Sequence, residues 1–305
     1  VSGDGTPSAP LALEQLDLLW DYDDPAASEE RFRALLPRAR TERDGALLAE
    51  LLTQLARAQG LQRRFDLAER TLDEAEQALH GGDARGRIRL LLERGRVENS
   101  RGDAGRGGAS FLTAWESARV AGEDALAVDA AHMLGIVEEP EAGLAWNERA
   151  LALARSSPDP LARRWVGSLA SNMGWARHAA GDDDGAIVLF ELARDEWLSD
   201  GRDGRARIAR WSIARCLRSR GDVDEALRSQ QLLLDELDGL GETDGYVLEE
   251  LGECLLALDR ADEARPYLAR AWSLLANDAG LRADEPERLA RLRALGLGGD
   301  AQTEP

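Results

Sequence analysis

Small residues in a fixed phase constrain this chain more than anything else in it. Ala68/Ala75, Gly107/Ala114, Gly143/Ala150, Ala186/Ala193 and Ala264/Ala271 are pairs seven positions apart, and Ala226 with Leu233 keeps the first position only. Successive first members lie 39, 36, 43, 40 and 38 residues apart. A second small residue stands twelve positions upstream in most units, as Ala56, Gly95, Gly174, Ala214 and Gly252. Between the marks comes a turn, readable as Arg101-Gly102-Asp103, Gly181-Asp182-Asp183 and Arg220-Gly221-Asp222, where Gly ends a helix because it accepts positive φ. Each unit therefore reads as two antiparallel helices. Small residues at their crossing let the axes approach to ~8–10 Å. A larger residue four after the first mark (Leu72, Phe111, Phe190, Leu268) fills the next layer. One such pair cannot bury its apolar face alone, so neighbours stack.

The phase, held in Leu55-Ala56…Ala68…Leu72…Ala75, Met173-Gly174…Ala186…Phe190…Ala193 and Leu251-Gly252…Ala264…Leu268…Ala271, resembles the tetratricopeptide repeat (TPR) family, in a bacterial-type array with long repeats. The resemblance spans roughly residues 46–278. It implies an all-α fold: an α-solenoid, coiled as a right-handed superhelix of about seven helix–turn–helix repeats with N- and C-terminal capping helices. The period exceeds the family's usual 34, which lengthens helices or turns. The domain reading is a disordered N-terminus at 1–10, a degenerate helical pair at 11–45, the array at 46–278, a capping helix at 279–296 and a disordered tail at 297–305. Within 11–45 the helices fall at 11–20 and 26–40, with Asp24 as N-cap and Pro25 as first helical residue.

Composition excludes several chemistries. All 38 cations are Arg, so no Schiff-base amine and no phosphate-loop Lys exists. HExxH, GxSxG, CxxC and a GxGxxG behind a strand are absent. The expectation is a binding protein and not an enzyme, with no cofactor, no metal site and no catalytic residue. Net charge is −19, which repels phosphate backbones and anionic lipid and argues against nucleic acid or a membrane as partner. No stretch reaches the ~18 apolar residues of a membrane span, and residues 1–10 do not read as a signal peptide. A soluble cytoplasmic protein is expected, and the initial Val1 leaves room for a leader already removed. The sequence does not speak to oligomeric state.

Cys216 and Cys254 take the same repeat position, where other units carry Ala58, Val97 and Ala176. They read as small buried hydrophobes, about 10 Å apart and beyond the ~7 Å reach of a disulfide. His80 precedes Gly81-Gly82 at a helix end, where a cation suits the dipole. His132 and His178 fall on first helices. A metal there would need Glu93 or Asp129 to join them, a third and weaker reading that would make the protein a metal-dependent enzyme.

In TPR arrays the first helices line a concave groove, and the resemblance implies groove positions here. They are Arg57, Arg96, Asn99, His132, Asn172, Trp175, His178, Trp211, Arg215, Arg218, Tyr246, Glu249 and Glu253. Arg57, Arg96 and Arg215 share one repeat position, and Trp175 takes it in a fourth unit. Arg can grip a carboxylate through two parallel hydrogen bonds, exposed Trp marks interfaces, and Asn172 resembles the asparagine with which TPR modules hold a peptide backbone. The implied partner is a protein or peptide, with an anionic or C-terminal segment in the groove. The alternative is a ligand-sensing subunit acting through a partner. Equally open is a purely internal use of the charges, Arg215 and Arg218 pairing with Glu249 and Glu253, and Arg96 with Glu93 or Asp129.

The fourth unit, about 124–157, has lost four residues between its marks, since Gly135 lies eight before Gly143. Asn147 stands at its large-apolar position. Pro140 can start its second helix but not sit inside it. A hinge is expected there, dividing 11–122 from 161–296.

Overall fold

The structure is a computed structural model, and it describes residue 16 and residues 18–42, 45–79 and 83–298. The expected disordered terminus at 1–10, most of the tail and His80 lie outside the described residues. The described residues form helices only, without a strand: α1 Pro25–Glu42, α2 Gly45–Leu61, α3 Phe65–Ala78, α4 Ala84–Ser100, α5 Ala104–Ala121, α6 Asp124–Val137, α7 Pro140–Ser156, α8 Pro160–Arg163, α9 Val166–Ala179, α10 Asp183–Ser199, α11 Asp203–Arg220, α12 Val223–Leu240, α13 Gly245–Ala257, α14 Ala261–Leu275, α15 Ala279–Asp284 and α16 Pro286–Leu297. The fold is an α-solenoid of TPR-like helix–turn–helix repeats with capping helices. It divides into two compact units, Val1–Trp165 and Val166–Pro305. No described helix is long and apolar enough to cross a membrane.

Helical hairpins build each unit. In the first, α2/α3, α4/α5 and α6/α7 pair, and α1 packs on α2; in the second, α9/α10, α11/α12 and α13/α14 pair. The small residue of each first helix lies under the large residue of the second. A Cβ added to Gly95 would stand 2.6 Å from the Phe111 ring, and one on Gly174 would stand 2.8 Å from the Phe190 ring. Phe111 and Phe190 are fully buried in consequence. Seven residues along, Ala75, Ala114, Ala150, Ala193 and Ala271 are buried completely. The fourth hairpin keeps this crossing despite its deletion, because Asn147 lies over Gly135 and Gly143 lies against the Gly135 carbonyl.

The deletion has therefore shortened the turn and not the crossing. In five hairpins the residue two before the second helix is left-handed: Gly102, Gly181 and Gly221, and also Arg63 (φ 59°) and Asp259 (φ 58°). In the fourth, Glu138 at that place is extended. Asp24 caps α1 by accepting from the Ala27 N–H, and Pro140 opens α7 at its first position. Upstream of α1 the described residues Leu16 and 18–19 make only 3₁₀ turns. At the other end α16 lies close on α14, since a Cβ on Gly296 would meet the Ala269 backbone at 2.4 Å. This burial of Leu289 and Leu292 covers the apolar face of the last hairpin.

Arg63 holds a conformation that costs a residue with a Cβ ~1–2 kcal/mol. Arg63→Gly removes that cost and adds some unfolded-chain entropy. The expected net effect is a stabilisation of about 0.5–1 kcal/mol, read as a higher urea midpoint at unchanged m-value.

Candidate functional site: the inner faces of the two units

In the first unit the inner face is a network of paired charges. The Arg96 guanidinium donates to Glu93 and Asp129, both at 2.5 Å. Arg57 lies 3.6 Å from Glu93, and Arg89 donates to Glu50 at 2.9 Å. Glu50, Glu93 and Asp129 are all buried. Burial alone would raise the Asp129 carboxyl, but Arg96, Arg57 and Arg89 outweigh it and hold it below the usual carboxylate range. Burial likewise opposes the charge on Arg96, and Asp129 and Glu93 reverse that, raising it above the usual guanidinium value. Trp20 and Tyr22 stack at 4.8 Å, and the Arg57 guanidinium lies within 6 Å of both rings. Trp20 donates to Gln54. Arg57 and Arg96 are thus engaged by this unit's own residues.

Elsewhere on this unit, Asn99 is half-buried and makes no side-chain hydrogen bond among the described residues. His132 packs against Trp165 at 5.4 Å, and its Nδ1 is buried without a hydrogen-bond partner. Burial depresses the His132 pKa, with Asp129 opposing the shift in part.

The second unit presents a different face. Trp175 on α9, Trp211 on α11 and Tyr246 on α13 form a slanting ladder, with ring centroids 5.6 and 5.7 Å apart at its two steps. Phe190 buttresses Trp175 at 5.1 Å, and Trp211 donates through Nε1 to the Tyr246 carbonyl at 3.0 Å. Aromatic steps of this spacing add ~0.5–1.5 kcal/mol each beyond burial. The Arg215 guanidinium lies 5.7 Å from the Trp211 ring and has no carboxylate partner among the described residues. Asn172 is exposed on α9 and makes no side-chain hydrogen bond among the described residues. Trp211 and Tyr246 also line a cavity of about 480 Å³ with Ile208, Leu233, Leu237 and Val247; Arg207 and Asp244 stand in its polar wall.

The remaining charges of this face are paired, in a register different from the one read in the sequence. Arg218 makes a two-pronged contact with Glu250. Glu249 pairs with Arg288, and Glu253 with Arg291, both on the capping helix α16. Those two arginines are invisible to repeat counting because they lie past the last repeat. Glu50 and Arg89 escaped it too, although their 39-residue spacing matches the period.

The metal grouping foreseen, His132 and His178 joined by Glu93 or Asp129, is not the one that assembles among the described residues. His178 converges instead with Asp183 and Cys216. Both cysteines are buried and free. Burial pushes each thiol up to about 12.

No family model matches the chain, and no curated protein matches it. Solved structures do. The apo form of RapI aligns with TM-score 0.67 at 11% identity, over 92% of this chain and 82% of that one. The quorum sensor NprR of B. thuringiensis, apo, aligns with TM-score 0.61 at 15% identity, over 92% and 80%. NprR with its cognate peptide NprX aligns with TM-score 0.53 at 16% identity, over 94% and 84%. A signal-transduction ATPase from Pyrococcus horikoshii with a tetratricopeptide repeat sensor aligns with TM-score 0.66 at 15% identity, over 91% of this chain and 46% of that one. At these identities the likeness is one of fold. It corrects one expectation: the exclusion of nucleic acid, drawn from net charge, does not hold. The same fold is found in RapI and in the quorum sensor NprR. A net charge of −19 is a sum over the whole chain, and it does not decide what one part of its surface contacts.

Two measurements separate structural from ligand-binding charges. Arg96→Ala leaves Glu93 and Asp129 buried and uncompensated, and should cost ~3–5 kcal/mol of stability, seen as a lower urea midpoint. His132 has a folded pKa below its unfolded value of ~6.5. The unfolded chain therefore binds more protons just below that pH, and stability should fall as pH drops from about 6.5 to 5 while staying level above. His132→Gln should flatten that slope.

Proposed function

We propose that the protein is a peptide receptor, binding an extended peptide across the aromatic ladder of its second unit. The observation that carries this reading is the ladder Trp175–Trp211–Tyr246 with Arg215 beside it. An aromatic face offers contact area at little entropic cost, and a cation without a carboxylate of its own is available to a ligand's carboxylate. Asn172 supplies amide groups for the peptide backbone. The cavity beside Trp211 has the size and mostly apolar lining that accept an apolar anchor of the ligand. The ligand class is then a peptide with an apolar anchor and a carboxylate, either a C-terminus or an acidic side chain. Arg57, Arg96 and Arg218 serve the fold, as their buried partners require.

The structural likeness to NprR, solved with its peptide NprX, supports a sensing role over a static scaffold, in which the bound peptide is reported to a partner protein. That likeness is of fold alone, so the reading rests on the ladder.

The test is retention of peptides from a randomised nonapeptide library, offered with free and with amidated C-termini, followed by calorimetry on the recovered sequences. Arg215→Ala and Trp211→Ala should each weaken binding by roughly 10- to 100-fold, the range for truncating an interface anchor, and Arg215→Ala should leave the unfolding midpoint in place. Peptides bound equally well by wild type and Arg215→Ala, whether amidated or free, would remove the carboxylate from the proposal. A library from which nothing is retained would remove the receptor.

A further inference from the structure

Three side chains of different ligand chemistry meet where α9 gives way to α10. His178 is on the last turn of α9, Asp183 opens α10, and Cys216 comes from α11, one repeat on. His178 Nδ1 is 2.5 Å from Asp183 Oδ1 and 3.6 Å from Cys216 Sγ. One ligand atom from each lies within 4.8 Å of the others. Convergence of imidazole, carboxylate and thiol from three helices is not needed for packing. The equivalent cysteine of the next repeat, Cys254, packs among Ala214, Leu217 and Ala226 and lies against Glu250, which Arg218 already engages.

We propose that His178, Asp183 and Cys216 bind a zinc ion. The donor set selects the metal class: sulfur with imidazole suits a borderline-soft transition ion and disfavours magnesium and calcium. The size fits as well. Zinc bonds of ~2.0–2.3 Å at tetrahedral angles set ligand atoms ~3.3–3.7 Å apart. The His178–Cys216 separation already falls there. Asp183 has to retreat by ~1 Å, giving up its hydrogen bond to His178 for a bond to the metal.

Charge balances at the site. One divalent cation meets one carboxylate and one thiolate, leaving a neutral centre in a half-buried place. An ordinary cysteine thiol, with a pKa of ~8.5, is protonated near neutral pH. Binding therefore displaces that proton to solvent: the S–H bond breaks, a zinc–sulfur bond forms, and one proton is released per ion. His178 and Asp183 are only half-buried, so the ion has an approach from solvent and water can complete the fourth position. The bound ion would tie α9, α10 and α11 together beside Trp175, whose ring lies 5.6 Å from His178. This inference does not depend on the peptide-receptor reading.

The experiment uses the full chain, reduced and stripped of metal, titrated with Co²⁺ alone. A near-ultraviolet thiolate-to-cobalt charge-transfer absorption is expected, with visible bands of a tetrahedral centre, saturating at one equivalent and displaced by one equivalent of Zn²⁺. Cys216→Ala should abolish the charge-transfer band and His178→Ala should abolish tight binding, whereas Cys254→Ala should leave the spectrum unchanged. Helical circular dichroism checks that each variant folds, and Cys216→Ser, which nearly keeps the volume, replaces the alanine variant should that one unfold. No thiolate absorption in the folded wild type, or one that survives loss of the Cys216 sulfur, overturns the proposal.

Discussion

The close crossing of two helices at a glycine or alanine governs this molecule. Where Phe190 lies over Gly174, or Phe111 over Gly95, no room exists for a Cβ on the first helix. The aromatic ring then takes the volume that a side chain would have filled, and the two backbones stand as near as helices can. Stacking the hairpins repeats this contact, so one geometric rule, applied every 36–43 residues, orders most of both units. Asn147 over Gly135 shows how firm the rule is: the contact survives a four-residue deletion and a polar side chain, whose Oδ1 is buried without a partner.

That rule fixes where first helices show their inner faces, and the two units use those faces differently. The first fills its face with arginines and carboxylates that neutralise one another, under Trp20 and Tyr22. Such a network adds little net stability, because desolvation offsets much of the attraction, although breaking it leaves a buried charge unpaired. The second sets aromatic rings beside its charges, pairing Arg218 with Glu250 and turning Glu249 and Glu253 to arginines of α16. Arg215 is the exception, held at an aromatic ring and not at a carboxylate.

Much of this was legible in advance. The helix pairs, the turns at Gly102, Gly181 and Gly221, the start of α7 at Pro140 and the burial of both cysteines follow from residue type and phase. The left-handed Arg63 and Asp259 were not legible, since neither residue type announces positive φ. Their turns are recognisable only by alignment with the glycine turns two residues before α5, α10 and α12. The candidate site was legible as a set of positions but not as a set of partners. Arg96 and Arg215 share a repeat position, yet one is held by two buried carboxylates and the other lies against a Trp ring.

The sequence by itself determined the class of fold and the phase of the repeat, because these depend on residue size at fixed spacing along one helix or one hairpin. Only the tertiary structure decided which charges neutralise one another, which rings touch, and that His178, Asp183 and Cys216 meet. The reason is geometric. An ion pair or a ligand triad depends on side-chain reach between neighbouring hairpins, and a shift of a single position, as from Glu249 to Glu250 opposite Arg218, turns a residue about 100° around its helix and gives it a different neighbour.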